Sequence, residues 1–242
     1  MTIKTRGGNN RGQNAKLHYH VNGSGTPLVL LHGNNQDLRS FEEQVEFFKD
    51  YYQVIAIDSP GHGKSSLGKK KLTIENMSIE ITHLLHRLNI ERALFIGFSD
   101  GGNIGLQIAI RSPELVIAMT IIGANIHMKG IKTMFRISII LWHQLLKLFS
   151  FIPEIKRQSQ IISLMAKEPN ISVDMLKYCN VPILLLAGER DVIDGKHTKE
   201  MGALLPNATV EIIEGAGHSL LNQKKKEVHP LILSYFRTIK NS

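Results

Sequence analysis

The stretch that most constrains the fold of this chain is LFIGFSDGG, at residues 94–102. Its apolar first half predicts a buried strand, and its second half predicts a tight turn that opens a helix. Gly97 and Gly101 lie two residues on either side of Ser99, and they lack the Cβ atoms that would collide where the strand and the helix approach. Such a turn strains the serine backbone and lifts its hydroxyl off the edge of a sheet.

Residues 97–101 match the pattern G-x-S-x-G, which is typical of a nucleophile elbow. Because glycine and serine are common, five residues alone also fit an ordinary turn. The apolar strand before the pattern and the helical periodicity after it meet the structural condition that the motif requires. Ser99 is therefore a candidate nucleophile, and it needs a base and an acid elsewhere in the chain.

Strand and helix signals alternate along most of the chain. Short apolar or alternating runs predict strands at residues 16–21, 28–31, 54–57, 93–96, 116–122, 182–187 and 210–213. This alternation predicts an α/β fold with a mostly parallel sheet and helices on both faces. The turn Asn-Gly-Ser-Gly at residues 22–25 predicts a hairpin between the first two strands.

The signals divide the chain into three parts. Residues 1–14 are polar and rich in Gly and Asn, so we expect them to be disordered. Residues 15–124 and 178–242 are expected to form the core domain. Residues 125–177 contain no convincing strand and predict a helical cap or lid. Within this cap, residues 134–149 are apolar nearly all round, and we expect that helix to pack on the body of the protein.

Composition narrows the class of protein. The chain has 242 residues, 43% of them hydrophobic, and a formal net charge of +8, but no nucleic-acid-binding module accompanies the charge. Cys179 is the single cysteine and cannot form an internal disulfide, which indicates a reducing compartment. We find no signal peptide and no run that would span a bilayer, so we expect a cytoplasmic protein without stable membrane insertion. The oligomeric state is unknown.

The base for Ser99 is expected to be a histidine. His218 lies in the glycine-rich loop EGAGH, directly after the last predicted strand. His62 lies in a second glycine-rich loop and is the alternative. The acid that orients the base is expected to be Asp191, which also follows a strand, with Glu189 and Asp194 as alternates.

The oxyanion of an acyl-transfer reaction needs preorganised donors. The backbone N–H groups of Asn34 and Asp100 are the candidates, because each follows a strand end. Parallel α/β sheets bind ligands at the carboxyl ends of their strands. We therefore expect Ser99, Asp191, His218 and the loop at Asn34 to meet at one edge of the sheet.

The order Ser99, Asp191, His218, with the His32-Gly33 loop, resembles the α/β-hydrolase superfamily over residues 17–236. The resemblance implies an α/β-hydrolase fold with an eight-stranded, mostly parallel sheet and residues 125–177 as a lid. It implies no cofactor and no metal. Ser99 argues against the dehalogenases and epoxide hydrolases of this fold, which use aspartate as the nucleophile.

The sequence SDGG at residues 99–102 and Gly-Ala-Asn at residues 123–125 are similar to the biphenyl-hydrolase-like (valacyclovirase) group. That resemblance implies that Asp100 binds a substrate amino group. The alternative is an aspartate favoured by the positive end of a helix. Asn35 and Trp142 are further candidates for substrate binding.

The sequence thus predicts a serine hydrolase that cleaves a small ester or related acyl compound through an acyl-enzyme. A lipase acting on monoacylglycerols or other lipids is one alternative, suggested by the apolar helix at residues 134–149 and the basic charge. A carbon–carbon bond hydrolase needs the same three residues. A non-catalytic ligand-binding protein on the same fold is the remaining alternative.

Overall fold

A computed structural model describes residues 15–240 of the chain. The expected disorder of residues 1–14 lies outside the described residues. A seven-stranded sheet forms the centre, in the order β1-β3-β2-β4-β5-β6-β7. Its strands are β1 (Tyr19–Asn22), β2 (Pro27–Leu31), β3 (Gln53–Ile57), β4 (Ala93–Phe98), β5 (Val116–Ile122), β6 (Ile183–Gly188) and β7 (Ala208–Ile213). All neighbours are parallel except β1, which runs antiparallel to β3.

Helices connect the strands and cover both faces of the sheet. They are α1 (Glu42–Phe48), α2 (Ile74–Arg87), α3 (Asp100–Arg111), α4 (Thr133–Leu148), α5 (Pro153–Lys167), α6 (Val173–Lys177), α7 (Gly195–Leu204), α8 (Leu220–Gln223) and α9 (Lys225–Lys240). One face packs on α2, α3 and α7, and the other on α1 and α9. The central strands are apolar along their whole length because helices bury them on both sides. The predicted α/β fold, with a mostly parallel sheet and helices on both faces, is confirmed.

Two expectations about the sheet are wrong. The sheet has seven strands rather than eight within residues 15–240, because only seven segments there carry a strand signal and each forms one strand. Residues 22–25 do not close a hairpin, since β1 pairs with β3 instead of β2. The half-buried β1 suits the edge of the sheet, whereas the fully apolar β2 requires a neighbour on each side.

Helices α4, α5 and α6 lie between β5 and β6. Helix α5 contacts the body directly, and α4 packs mainly against α5. The expectation that the helix at residues 134–149 packs on the body is wrong, because α5 lies closer to the body and leaves most of the α4 surface exposed. Among the described helices, none is long and apolar enough to cross a membrane.

Candidate active site

The loop between β4 and α3 holds Ser99 in the left-handed region, with a φ of +53°. A Cβ on Gly97 would collide with the backbone of Gly101, and a Cβ on Gly101 would collide with the carbonyl of Leu31. The Ser99 N–H donates to the Ile122 carbonyl over 2.8 Å, which ties the turn to β5. The glycines thus allow the close approach of strand and helix that the sequence pattern predicts.

Three of the predicted site residues meet at the carboxyl edge of the sheet. The Ser99 Oγ lies 3.2 Å from His218 Nε2, and His218 Nδ1 lies 2.7 Å from Asp191 Oδ1. Asp191 is 1% exposed, and its Oδ1 also accepts the N–H of Ile193 over 2.9 Å. A buried carboxylate, an imidazole and a hydroxyl therefore form one continuous chain of contacts.

The alternative acids and the alternative base lie elsewhere. Glu189 accepts the N–H of Gly215, and Asp194 caps the start of α7. His62 Nδ1 donates to the Pro60 carbonyl, and burial lowers the pKa of His62 to about 4. Within the described part of the chain, none of the three side chains forms a hydrogen bond with Ser99 or His218.

Gly123 and Phe98 pack against the His218 ring, and neither residue was predicted from the sequence to have this role. The ring centroids of Phe98 and His218 are 4.9 Å apart. Gly123 has a φ of +59°, and a Cβ there would lie 2.9 Å from the ring and 3.2 Å from Asp191 Oδ2. The sequence feature that could have indicated a role for Gly123 is its position directly after β5, because the end of that strand lies beside the Ser99 turn.

The loop after β2 presents the second candidate oxyanion donor. Within residues 15–240, the backbone N–H groups of Asn34 and Asp100 have no hydrogen-bond acceptor. Gln36 Oε1 accepts a hydrogen bond from the N–H of Gly33 over 3.0 Å, and this contact was not predicted from the sequence. Burial lowers the pKa of His32, and its neutral ring donates to the Gly33 carbonyl and accepts the N–H of Ser59. These contacts hold the loop in place.

The side chain of Asn34 joins this loop to two other elements. Its Nδ2 donates to Asp100 Oδ2 and to the Ile161 carbonyl in α5, each over 2.8 Å. Asp100 is 5% exposed, and the Nδ2 of Asn103 lies 3.5 Å from its Oδ1. Burial raises the pKa of Asp100 to about 6, an increase that the Asn34 hydrogen bond and the nearby His218 partly offset.

The two remaining sequence candidates are not joined to this cluster. Asn35 is exposed and has a φ of +55°. Trp142 lies in α4 and is 51% exposed. No hydrogen bond or ring contact among the described residues links either side chain to Ser99 or His218. In the same part of the chain, no group of three or more His, Cys, Asp or Glu side chains is arranged to hold a metal ion.

Part of this chain is similar in sequence to known proteins. Residues 26–143 match the family model described as the α/β-hydrolase fold. The (E)-2-((N-methylformamido)methylene)succinate hydrolase of Acinetobacter baylyi is 31% identical over 110 residues, or 46% of this chain. That match spans 42% of the relative's own length.

Two solved structures match nearly the whole chain. An esterase from Thermogutta terrifontis superposes with a TM-score of 0.77 at 21% identity, covering 93% of this chain and 94% of the esterase. An α/β-hydrolase enzyme from a Medee basin deep-sea metagenome library superposes with a TM-score of 0.81 at 19% identity, covering 93% of this chain and 95% of that enzyme. These likenesses extend the shared fold beyond residues 26–143.

Proposed function

Because this chain belongs to the α/β-hydrolase superfamily, we propose that it is a serine hydrolase that cleaves a small ester or related acyl compound. The observation that carries this proposal is the continuous contact from the Ser99 hydroxyl through His218 to Asp191. A serine hydroxyl needs an adjacent base to become a nucleophile, and the base needs an acid that fixes its tautomer.

In the proposed reaction, Ser99 Oγ attacks the substrate carbonyl while His218 Nε2 takes its proton. Asp191 accepts a hydrogen bond from the Nδ1–H of His218, and its negative charge stabilises the imidazolium that forms. His218 then protonates the leaving group, and the acyl chain remains on Ser99. Water attacks the acyl-enzyme, His218 takes a proton from that water, and the Ser99 hydroxyl is regenerated as the acid leaves.

The backbone N–H groups of Asn34 and Asp100 are the proposed oxyanion donors. Their lack of any acceptor among the described residues supports this role, because an oxyanion would complete their hydrogen bonding. One such donor contributes about 3 to 4 kcal/mol to transition-state stabilisation. We assign the Asn34 side chain and Asp100 to positioning these donors. A buried carboxylate that already accepts from Asn34 is a weaker candidate for binding a substrate cation.

We propose that residues 125–177 form a lid over a core made of residues 15–124 and 178–242. Two contacts from α5 support this division. Asn34 donates to the Ile161 carbonyl, and Arg157 donates to the Gly61 carbonyl over 3.0 Å. Both contacts join α5 to loops that follow strands of the core, so the helix is held beside the proposed oxyanion donors.

A panel of p-nitrophenyl esters of graded chain length, together with amino-acid esters, tests the proposal. We expect turnover of short esters by the wild-type protein and a loss on the order of 10⁶ in kcat for Ser99→Ala. Equal turnover by wild type and Ser99→Ala would contradict it, as would tight ligand binding without any turnover. A preference for amino-acid esters that disappears in Asp100→Asn would indicate that Asp100 binds a substrate cation.

A further inference from the structure

Helix α4 exposes a broad apolar surface. We define the outer face of α4 by six exposed side chains: Met134, Ile137, Leu141, Trp142, Leu145 and Leu148. Met134 is 78% exposed and Leu148 is 73% exposed, so the surface extends along the whole helix. Single exposed apolar residues are ordinary, but a contiguous surface of this kind marks an interaction site.

Helical geometry places five of these side chains on the side of α4 that is turned away from the protein, and it places Trp142 on the flank beside them. The opposite side carries His143, which is buried, and Ile139 and Leu146, which are half-buried. Successive residues rotate by about 100° around a helix, so residues 134, 141, 145 and 148 share one side. The outer face is therefore a second apolar stripe, separate from the stripe that packs on α5.

Basic side chains lie beside this surface. The half-buried Arg136 and the exposed Lys147 lie on one flank of the helix, between the outer face and the buried His143, and Lys129 and Lys132 lie just before the helix. Residues 115–153 contain these four cations and no Asp or Glu. Among the ion pairs of residues 15–240, none involves any of the four. The local charge is thus strongly positive and is not neutralised by acidic side chains.

We propose that the outer face of α4 docks on an anionic lipid bilayer, with the helix lying in the plane of the headgroups. Apolar residues that include a tryptophan on one side, with lysine and arginine at the edge, are the pattern of interfacial helices. The bilayer offers an apolar interior for the outer face and negative headgroups for Arg136, Lys147, Lys129 and Lys132.

A second copy of this chain fits the surface less well. It would bring four further cations against the first four, in a protein whose net charge is already +8. Residues 1–14 also do not match the surface, since their sequence contains Lys4, Arg6 and Arg11 and few apolar side chains. Charge complementarity therefore favours anionic lipid. The proposal goes beyond the proposed hydrolase activity and does not rest on it.

The single tryptophan of the chain, Trp142, lies on this surface, so its fluorescence reports docking directly. We expect its emission to shift to shorter wavelength when vesicles of phosphatidylcholine and phosphatidylserine are added, and brominated lipid in those vesicles to quench it. Pure phosphatidylcholine vesicles should bind less, by about fivefold for each cation that contacts the surface. High salt should reduce binding to the anionic vesicles.

Leu141→Ser combined with Leu148→Ser should lower vesicle binding roughly tenfold or more. Tyr178→Ser, at a side chain that is 83% exposed outside α4, is the matched control and should bind like wild type. Thermal unfolding would verify that both variants fold. Absence of binding to any vesicle would overturn the proposal. So would equal binding by the Leu141/Leu148 variant, or a dimer in sedimentation velocity that this variant abolishes.

Discussion

Asn34 Nδ2 lies 2.8 Å from Asp100 Oδ2, and this contact joins the two backbone segments proposed to bind the oxyanion. The two residues are 66 positions apart in the chain. Because both proposed oxyanion donors are backbone groups, their separation depends on what holds the two segments together. We therefore expect the side chains of Asn34 and Asp100 to influence the proposed reaction without touching the reacting atoms.

We expect Asn34→Ala to lower kcat by roughly 10- to 100-fold with little change in KM. The substitution keeps the backbone N–H and removes only the amide that fixes its position. Steady-state kinetics on a short p-nitrophenyl ester would measure the effect, and Asn35→Ala, at an exposed neighbour, is the matched control. Wild-type kcat in Asn34→Ala would contradict the positioning role. Additive effects of Asn34→Ala and Asp100→Ala on kcat would contradict the coupling between them.

The raised pKa of Asp100 predicts a pH dependence of stability. Burial raises this pKa from 3.8 to about 6, so the folded protein binds the proton more tightly than the unfolded chain. As the pH rises from 4 to 6, the free energy of unfolding of the wild type should therefore fall relative to that of Asp100→Asn. Above pH 6, the total fall should be on the order of 3 kcal/mol. Urea unfolding at each pH would measure it.

The exposed Asp50 supplies the control for that series. Asp50→Asn removes the same charge from an exposed side chain, so it separates the effect of burying the Asp100 carboxyl from the effect of losing one charge. A constant difference between wild type and Asp100→Asn across this range would show that Asp100 does not titrate there.

Asp191→Asn should lower kcat by about 10⁴-fold, because an amide cannot hold the His218 tautomer that accepts the Ser99 proton. Asp194→Asn is the matched control, since asparagine also caps a helix and Asp194 only caps α7. Steady-state kinetics of both variants would compare them. A larger loss of kcat in Asp194→Asn than in Asp191→Asn would show that Asp191 is not the acid that orients His218.

Gly123→Ala should reduce activity by displacing the His218 ring, which a Cβ would approach within 2.9 Å. The left-handed backbone at Gly123 adds a cost of about 1 to 2 kcal/mol to folding. Gly195→Ala is the matched control, because nothing lies within 4 Å of a Cβ at that position. Thermal unfolding and ester turnover would separate the two effects. Full activity in Gly123→Ala would show that the ring position is not restricted there.

Much of this arrangement could be predicted from the sequence because the strands are apolar runs with glycine-rich ends. Each of the seven runs forms a strand, and Ser99, Asp191 and His218 follow three of them. Strand order could not be predicted in the same way. The antiparallel edge position of β1 depends on which neighbours each strand needs, and that is a property of the assembled sheet.

Contacts between distant parts of the chain also could not be predicted from the sequence. Asn34 meets the Ile161 carbonyl across 127 residues, and no local pattern indicates that pairing. The apolar periodicity of α4 predicted a helix but not which of its sides would be covered. Because α5 lies between α4 and the body, a helix that looked like part of the core exposes its outer face.

Reaction with a fluorophosphonate probe, followed by intact mass and peptide mapping, tests the central claim most directly. We expect one adduct per chain, located on Ser99, and no adduct on a folded Ser99→Ala variant. Labelling of Ser99 should slow in Asp191→Asn, because the same base activates the hydroxyl toward the probe. A folded wild-type protein that remains unlabelled, or that labels to the same extent as Ser99→Ala, would contradict the account.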